Sequence, residues 1–250
     1  MTHKRSIAAL FIGVTVLALI VSFSRDPLRK AWWSYLNNYA SDYYVQQMMA
    51  FNARKDRNLP DNAVLFYGDS LVQGLAVQAA AQRAVNYGIG QTGARDVARQ
   101  LKEHLNIGKA AAVVIAVGVN DVIRGNAHHV LPAYQSALMS IPESVPVIIS
   151  NVLPVEEALL EQTNLNNAIQ QLNQQLQKLC SARARLTCLD AGQSLKDSEG
   201  NLASQYHTGD GLHLNAQGNA IWLSQLETSI AKASSSREQD KNDISDKQSL

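Results

Sequence analysis

Five short, almost wholly apolar runs constrain this chain most: AVLFY (63–67), AVNY (84–87), AAVVIAV (111–117), VPVIISNV (145–152) and RLTCLD (185–190). Apolar runs of this length, without polar alternation, read as strands buried on both faces. Stretches of helical period lie among them and after them: ARDVARQLKEHL (94–105), VLPAYQSALMSI (130–141), LLEQTNLNNAIQQLNQQLQKLC (159–180) and NAQGNAIWLSQLETSIAKA (215–233). Alternating strands and helices predict an α/β fold, a parallel sheet of about five strands between two helical layers. Right-handed crossovers then bring every strand's C-terminal end to one rim, where open sheets bind their ligands. The residues that follow each strand are therefore where chemistry is to be sought.

Those residues are polar or glycine at the ends of the first three strands. The first strand runs into Gly68-Asp69-Ser70, the second into Asn86-Tyr87-Gly88-Ile89-Gly90, and the third into Gly118-Val119-Asn120-Asp121. A further polar segment, DGLHLN (210–215), stands just before the last helix. Taken singly, each is explained by helix capping and tight turns, which favour Ser, Asp, Asn and Gly. Together they supply what acyl transfer by a serine needs: Ser70 as nucleophile, His213 as base, Asp210 to hold the imidazole, and donors for an oxyanion from the N–H groups of Ser70 and Gly90 and the Asn120 amide. The Gly-x-Ser-x-Gly elbow of the α/β-hydrolases is absent around every serine.

These blocks resemble the SGNH hydrolases, also called GDSL esterases and lipases, over about residues 60 to 230. Gly68-Asp69-Ser70-Leu71 is similar to the first family block, NYGIGQT (86–92) to the second, Gly118-Val119-Asn120-Asp121 to the third, and Asp210-Gly211-Leu212-His213 to the fifth. The resemblance implies a flavodoxin-like three-layer sandwich and a serine esterase working through an acyl-serine. It implies neither a metal nor an organic cofactor. The nearest likeness is to platelet-activating-factor acetylhydrolase-like and carbohydrate-esterase-like members, so small-molecule, glycan and lipid esters, the acetyl ester among them, are all candidate substrates. NYGIGQT is one residue shorter than the family's usual block, which leaves Gly90 and Gln91 both open as the backbone donor. Lysophospholipase, thioesterase and O-acyltransferase reactions would use the same residues, and a binding protein that has lost turnover is the alternative from another class.

Other features set limits. With 22 basic and 21 acidic residues the formal net charge is +1, which gives no basic surplus for nucleic acid. His104, His128 and His129 read as surface residues; neighbours on a helix do not face each other, so no metal site is expected. His207 lacks an Asp three residues upstream and reads as a rim or exposed residue. Asp69 and Asp121 read as partners of the loop backbone. Leu71, Val72, Val119, Val122, Ile123 and Leu153 fit either an acyl pocket or the core. Cys180 and Cys188 are the two cysteines; they read either as one bridge or as two small buried side chains.

The ends of the chain differ from its middle. Residues 6–23 carry no charge and as a helix would span roughly 27 Å, enough to cross a bilayer. Residues 1–24 therefore read as an uncleaved membrane anchor, with a signal peptide as the alternative, and the domain that follows as extracytoplasmic, periplasmic or cell-surface. Residues 25–60 read as a juxtamembrane connector in which Trp32, Trp33, Tyr35 and Tyr39 suit the headgroup region while Met48, Met49 and Phe51 touch protein. Residues 61–233 form the hydrolase domain, and the polar 234–250 reads as a disordered tail. The oligomeric state is not legible.

Overall fold

The structure, a computed structural model, describes residues 27–248. The segment expected to be an anchor, 1–24, lies outside them. Among the described residues no helix is long and apolar enough to cross a membrane. The chain divides into two compact units, one up to Gln46 and one from Gln47 onward. Helix α1, Pro27–Asp56, belongs partly to each. In the first unit it exposes Trp32, Tyr35 and Tyr39.

The second unit is built on five strands: β1 Val64–Gly68, β2 Ala84–Asn86, β3 Ala112–Ala116, β4 Val147–Ser150 and β5 Leu186–Leu189. All pair in parallel, in the order β2-β1-β3-β4-β5. Every residue of β1 and β3 is buried, which is why their sequences show no polar alternation. Alternate side chains enter opposite layers. Leu65, Tyr67, Val113, Ile115, Val147 and Ile149 pack in one core, and Val64, Phe66, Ala112, Val114 and Ile148 in the other.

The first core is covered by α3 (Ala94–Glu103), α5 (Val130–Met139) and α6 (Leu165–Ser181), the second by α7 (Ala216–Gln248). On α7 the residues Trp222, Leu226, Ile230 and Ala233, three and four apart, form the buried stripe, and the Trp222 ring N–H donates to Ser150 Oγ over 3.1 Å. Two short helices, α2 (Ser70–Gln73) and α4 (Val119–Ile123), open directly off β1 and β3. In this strand order the chain reverses direction between β1 and β3. Their adjacent C-terminal ends form the crevice at a topological switch point, and they carry Ser70 and Asn120.

Three expectations change. The last turns of α1, in the unit that starts at Gln47, are fastened by polar contacts that hydrophobic patterning does not register. Asn52 Nδ2 donates to Tyr87 O at 3.0 Å, Lys55 Nζ to Asn86 O at 2.7 Å, and Asp56 Oδ2 accepts from Leu105 N at 2.8 Å. Met49 is buried as expected, but Phe51 is exposed beneath the Arg54 guanidinium. Helix α6 starts at Leu165, not 159, because Asn164 turns left-handed (φ 65°) and the Glu157 carboxylate accepts from Asn164 N and Asn166 N. Helix α7 continues to Gln248 through the stretch expected to be disordered, since Glu, Gln, Lys and Arg propagate a helix already nucleated by packing. Cys180, at the end of α6, and Cys188, on β5, form a disulfide.

Candidate active site

Ser70 is the first residue of α2. Asp69 caps that helix, its Oδ1 accepting from Leu71 N at 3.0 Å. Burial pushes the Asp69 carboxyl up to about 7, against the Leu71 N–H and the neighbouring His213, which hold it down. The strand therefore ends in a turn that presents the Ser70 side chain half-buried on the rim.

The segment 210–213 meets it from 143 residues away: Ser70 Oγ lies 2.9 Å from His213 Nε2. His213 Nδ1 lies 2.6 Å from Asp210 Oδ2, while Asp210 Oδ1 accepts from Leu212 N at 3.0 Å and from His213 N at 2.9 Å. Partial burial alone would raise the Asp210 carboxyl, but the bonds from Leu212 N–H, the His213 ring and His213 N–H outweigh it and bring the group down to about 2. The three-residue spacing lets one carboxylate bind both the backbone and the ring of the same histidine. Gly211 is required here by conformation, since its φ is +75° and an added Cβ would lie 2.9 Å from Glu156 O. A hydroxyl against an imidazole whose far nitrogen is held by a carboxylate can lose its proton as it attacks.

The segment after β2 is clamped onto α2. Asn86 Nδ2 donates to Val72 O at 2.7 Å and Leu75 O at 3.1 Å, and Ile89 N donates to Gly68 O at 3.0 Å. Gly88 permits this approach: a Cβ there would sit 2.4 Å from Gln73 N. The Gly90 N–H is paired with Gln73 Oε1 at 2.8 Å. The donor expected of Gly90 is thus engaged by a side chain in the resting site. Gln73, one turn beyond Ser70, falls on the same helix face, so its carboxamide must swing aside before an oxyanion reaches Gly90. Gln91 adopts φ 69° and its carbonyl accepts from Arg124 at 2.9 Å. Asn120, on α4, donates one amide hydrogen from Nδ2 to Thr92 O at 3.0 Å, which orients the other. Thr92 Oγ1 in turn donates to Ile89 O at 2.6 Å.

Of the six residues that fit either a pocket or the core, Val72, Val119, Val122 and Leu153 are buried core, while Leu71 and Ile123 are half-buried. Asp121 accepts from Ala94 N at 2.9 Å, in keeping with the loop role expected of it. Of the other histidines, His128 is exposed and His129 half-buried, in keeping with a surface position, whereas His104 and His207 are buried. His104 is buried, 2.7 Å from Tyr67 Oη, and burial holds it neutral, down to about 4. Its C-cap position, between helix and loop, turns it inward where a helical register places it outside. His128 and His129 lie in a 3₁₀ turn with ring centroids 3.8 Å apart, so they do face each other; no group of three metal-ligating side chains occurs among the described residues. His207 is buried, and its Nδ1 accepts from Gly209 N at 2.9 Å and Gly211 N at 3.3 Å. Gln73 lies outside the motifs, signalled only by its helical spacing from Ser70; Asn86, within the second block, and His207, read from the sequence as a rim or exposed residue, make contacts here that the sequence did not assign to them.

Residues 62–221 match the GDSL-like lipase/acylhydrolase family. Among solved structures, a candidate platelet activating factor from Streptococcus pneumonia is similar with a TM-score of 0.73 at 22% identity, over 80% of this chain and 99% of that one. A GDSL-like lipase from Bacteroides thetaiotaomicron gives 0.62 at 20% identity, over 74% and 98%. An acetyl xylan esterase from Geobacillus stearothermophilus gives 0.54 at 21% identity, over 68% and 94%. At these identities the likenesses speak for the fold. Among curated proteins none matches the chain.

Proposed function

We propose, on the premise that this chain belongs to the GDSL-like lipase/acylhydrolase family and is a serine ester hydrolase, that its reaction runs through Ser70, His213 and Asp210. The observation that carries the reading is the continuous contact from Ser70 Oγ to His213 Nε2 (2.9 Å) and from His213 Nδ1 to Asp210 Oδ2 (2.6 Å). His213 takes the Ser70 proton as Oγ attacks the ester carbonyl, and the Asp210 carboxylate steadies the imidazolium. The carbonyl oxygen, now negative, is met by Asn120 Nδ2, by the Ser70 N–H at the start of α2, and by the Gly90 N–H once Gln73 Oε1 has left it. Collapse expels the alcohol with the proton from His213. Water, deprotonated by the same imidazole, then releases the acid from the acyl-serine.

The acyl group is short, acetyl before any longer chain. Behind Ser70, beside Leu71, Val119 and Leu153, the space is only about 10 Å³, so a long acyl chain finds no room on that side. A cleft of about 420 Å³ opens beyond the ends of β4 and β5, lined by Gln170, Gln174, Gln177, Lys178, Asp190 and Gln193; it touches none of Ser70, Asp210 and His213 and so does not bear on the leaving side. The apolar, uncharged residues 6–23 support a membrane-held, extracytoplasmic enzyme; release of the full chain from membranes by alkaline carbonate would refute that placement. The test of the reaction is fluorophosphonate labelling of the full chain beside Ser70→Ala, followed by nitrophenyl esters of rising chain length. Labelling that persists in Ser70→Ala removes Ser70 as nucleophile, and a preference for long acyl chains removes the short-acyl reading.

A further inference from the structure

Asp210 and His213 are exposed, their side chains 46% and 41% accessible. Water competes for both groups, so their mutual geometry has to come from the loop that carries them. That loop closes on itself at its base: Thr208 N donates to His213 O at 2.9 Å, and His207 pairs with Leu214 as an antiparallel bridge. Between these ends Gly209 (φ 101°) and Gly211 (φ 75°) bend the backbone around Asp210, and no backbone carbonyl inside the loop takes up their N–H groups. The His207 imidazole takes both. Nδ1 accepts from Gly209 N at 2.9 Å and from Gly211 N at 3.3 Å, one on each side of Asp210. A ring nitrogen accepting two N–H groups carries no proton of its own, so the His207 proton is on Nε2. The whole side chain lies beneath the loop, with His207 8% exposed and its Nε2 buried. From the far side Glu156 N donates to Gly211 O at 2.8 Å, tying the loop to the segment after β4.

We propose that His207 is a positioning residue of the hydrolase: its neutral imidazole acts as the hub that fixes Gly209 and Gly211, and through them the angle at which Asp210 holds His213 toward Ser70. It is not a second base, because Nδ1 is engaged by the loop and His207 touches neither Ser70 nor the reacting atoms. The requirement is for one acceptor at the Nδ1 position. An asparagine, whose Oδ1 sits one bond beyond Cγ as Nδ1 does in histidine, meets it. A glutamine, whose amide reaches to the Nε2 position, does not, and leucine offers no acceptor at all.

The proposal rests on the triad reading above, and the experiment keeps the two apart. kcat and KM for nitrophenyl acetate are measured on the full chain and on His207→Asn, His207→Gln and His207→Leu, each scaled to its folded fraction by circular dichroism. Loosening a positioned base without touching the substrate site lowers kcat and spares KM, with displacements of about 1 Å costing about 100-fold. The expected result is a kcat down about 10- to 100-fold in Gln and Leu, KM within about 3-fold, and His207→Asn within about 3-fold of the parent on both. If Leu does not fold, the Asn–Gln contrast decides. Asn falling as far as Gln, all variants holding parental kcat, or all three unfolding together would each overturn the positioning role. A parent chain without Ser70-dependent turnover overturns the triad reading instead.

Discussion

Asp210→Asn separates what this carboxylate does for the imidazole from what it does for the loop. Oδ1 accepts two backbone N–H groups, from Leu212 (3.0 Å) and His213 (2.9 Å), and an asparagine keeps that oxygen. Oδ2, 2.6 Å from His213 Nδ1, becomes an NH₂ that can only donate. The imidazole must then present Nδ1 as acceptor and move its proton to Nε2, 2.9 Å from Ser70 Oγ, where it can no longer receive the serine's. In a Ser-His-Asp arrangement the wrong tautomer costs about 10⁴-fold in kcat, which at 1.36 kcal/mol per decade is about 5.4 kcal/mol of barrier. Because the Asp210 side chain is 46% exposed, solvent relaxes part of this penalty, and a loss of about 10³-fold is expected. Stability should scarcely move, since two of the three bonds survive. The assay is nitrophenyl acetate hydrolysis by the full chain at pH 8 with a parallel thermal melt, beside Asp210→Ala, which loses all three bonds and should lower Tm as well. An Asn variant within tenfold of the parent, or one that melts as low as Ala, refutes the tautomer argument.

Three further outcomes follow from the same geometry. Asn120→Ala should lower kcat by about 10²- to 10³-fold while slow fluorophosphonate labelling of Ser70 persists; unchanged kcat takes Asn120 out of the oxyanion hole. Burial raises Asp69 from 3.8 to about 7, so between those values the folded chain binds more protons than the unfolded one. Stability should therefore fall as pH rises from about 4 to about 7 and level off above. Asp69→Asn, which keeps the acceptor for Leu71 N, should flatten that fall in melts across pH 4 to 8, and an unchanged slope refutes the assignment. Opening the Cys180–Cys188 bridge, with a sequence separation of 8, should cost about 2.5 kcal/mol by loop-closure entropy; urea midpoints of Cys188→Ala that match the parent would show the bridge contributes nothing.

The fold was legible because burial on both faces writes itself into β1 and β3 as unbroken apolar runs, and one-sided burial into α3 and α7 as helical stripes. The proposed site was legible where the chemistry demands a residue type: Ser70, Asn120, Asp210 and His213 are of the types acyl transfer uses, each just past a strand or before the last helix. The attachment of the last turns of α1 was not, because Asn52, Lys55 and Asp56 look like solvent-facing polar residues until Tyr87, Asn86 and Leu105 are brought against them. His104 was misplaced for the same reason, its partner Tyr67 being 37 residues away.

The sequence by itself determined the layers and the rim and offered four side chains of the types that act on an ester, since hydrophobic period and residue chemistry are local properties. Only the tertiary structure decided which donors are spoken for. Gly90 N–H, offered to an oxyanion by its motif, is held by Gln73 Oε1, and His207, unremarkable in a row of loop residues, gathers the amides on either side of Asp210. A hydrogen bond is directional and goes to whichever partner the fold brings within about 3 Å, and that pairing is written in no single stretch of chain.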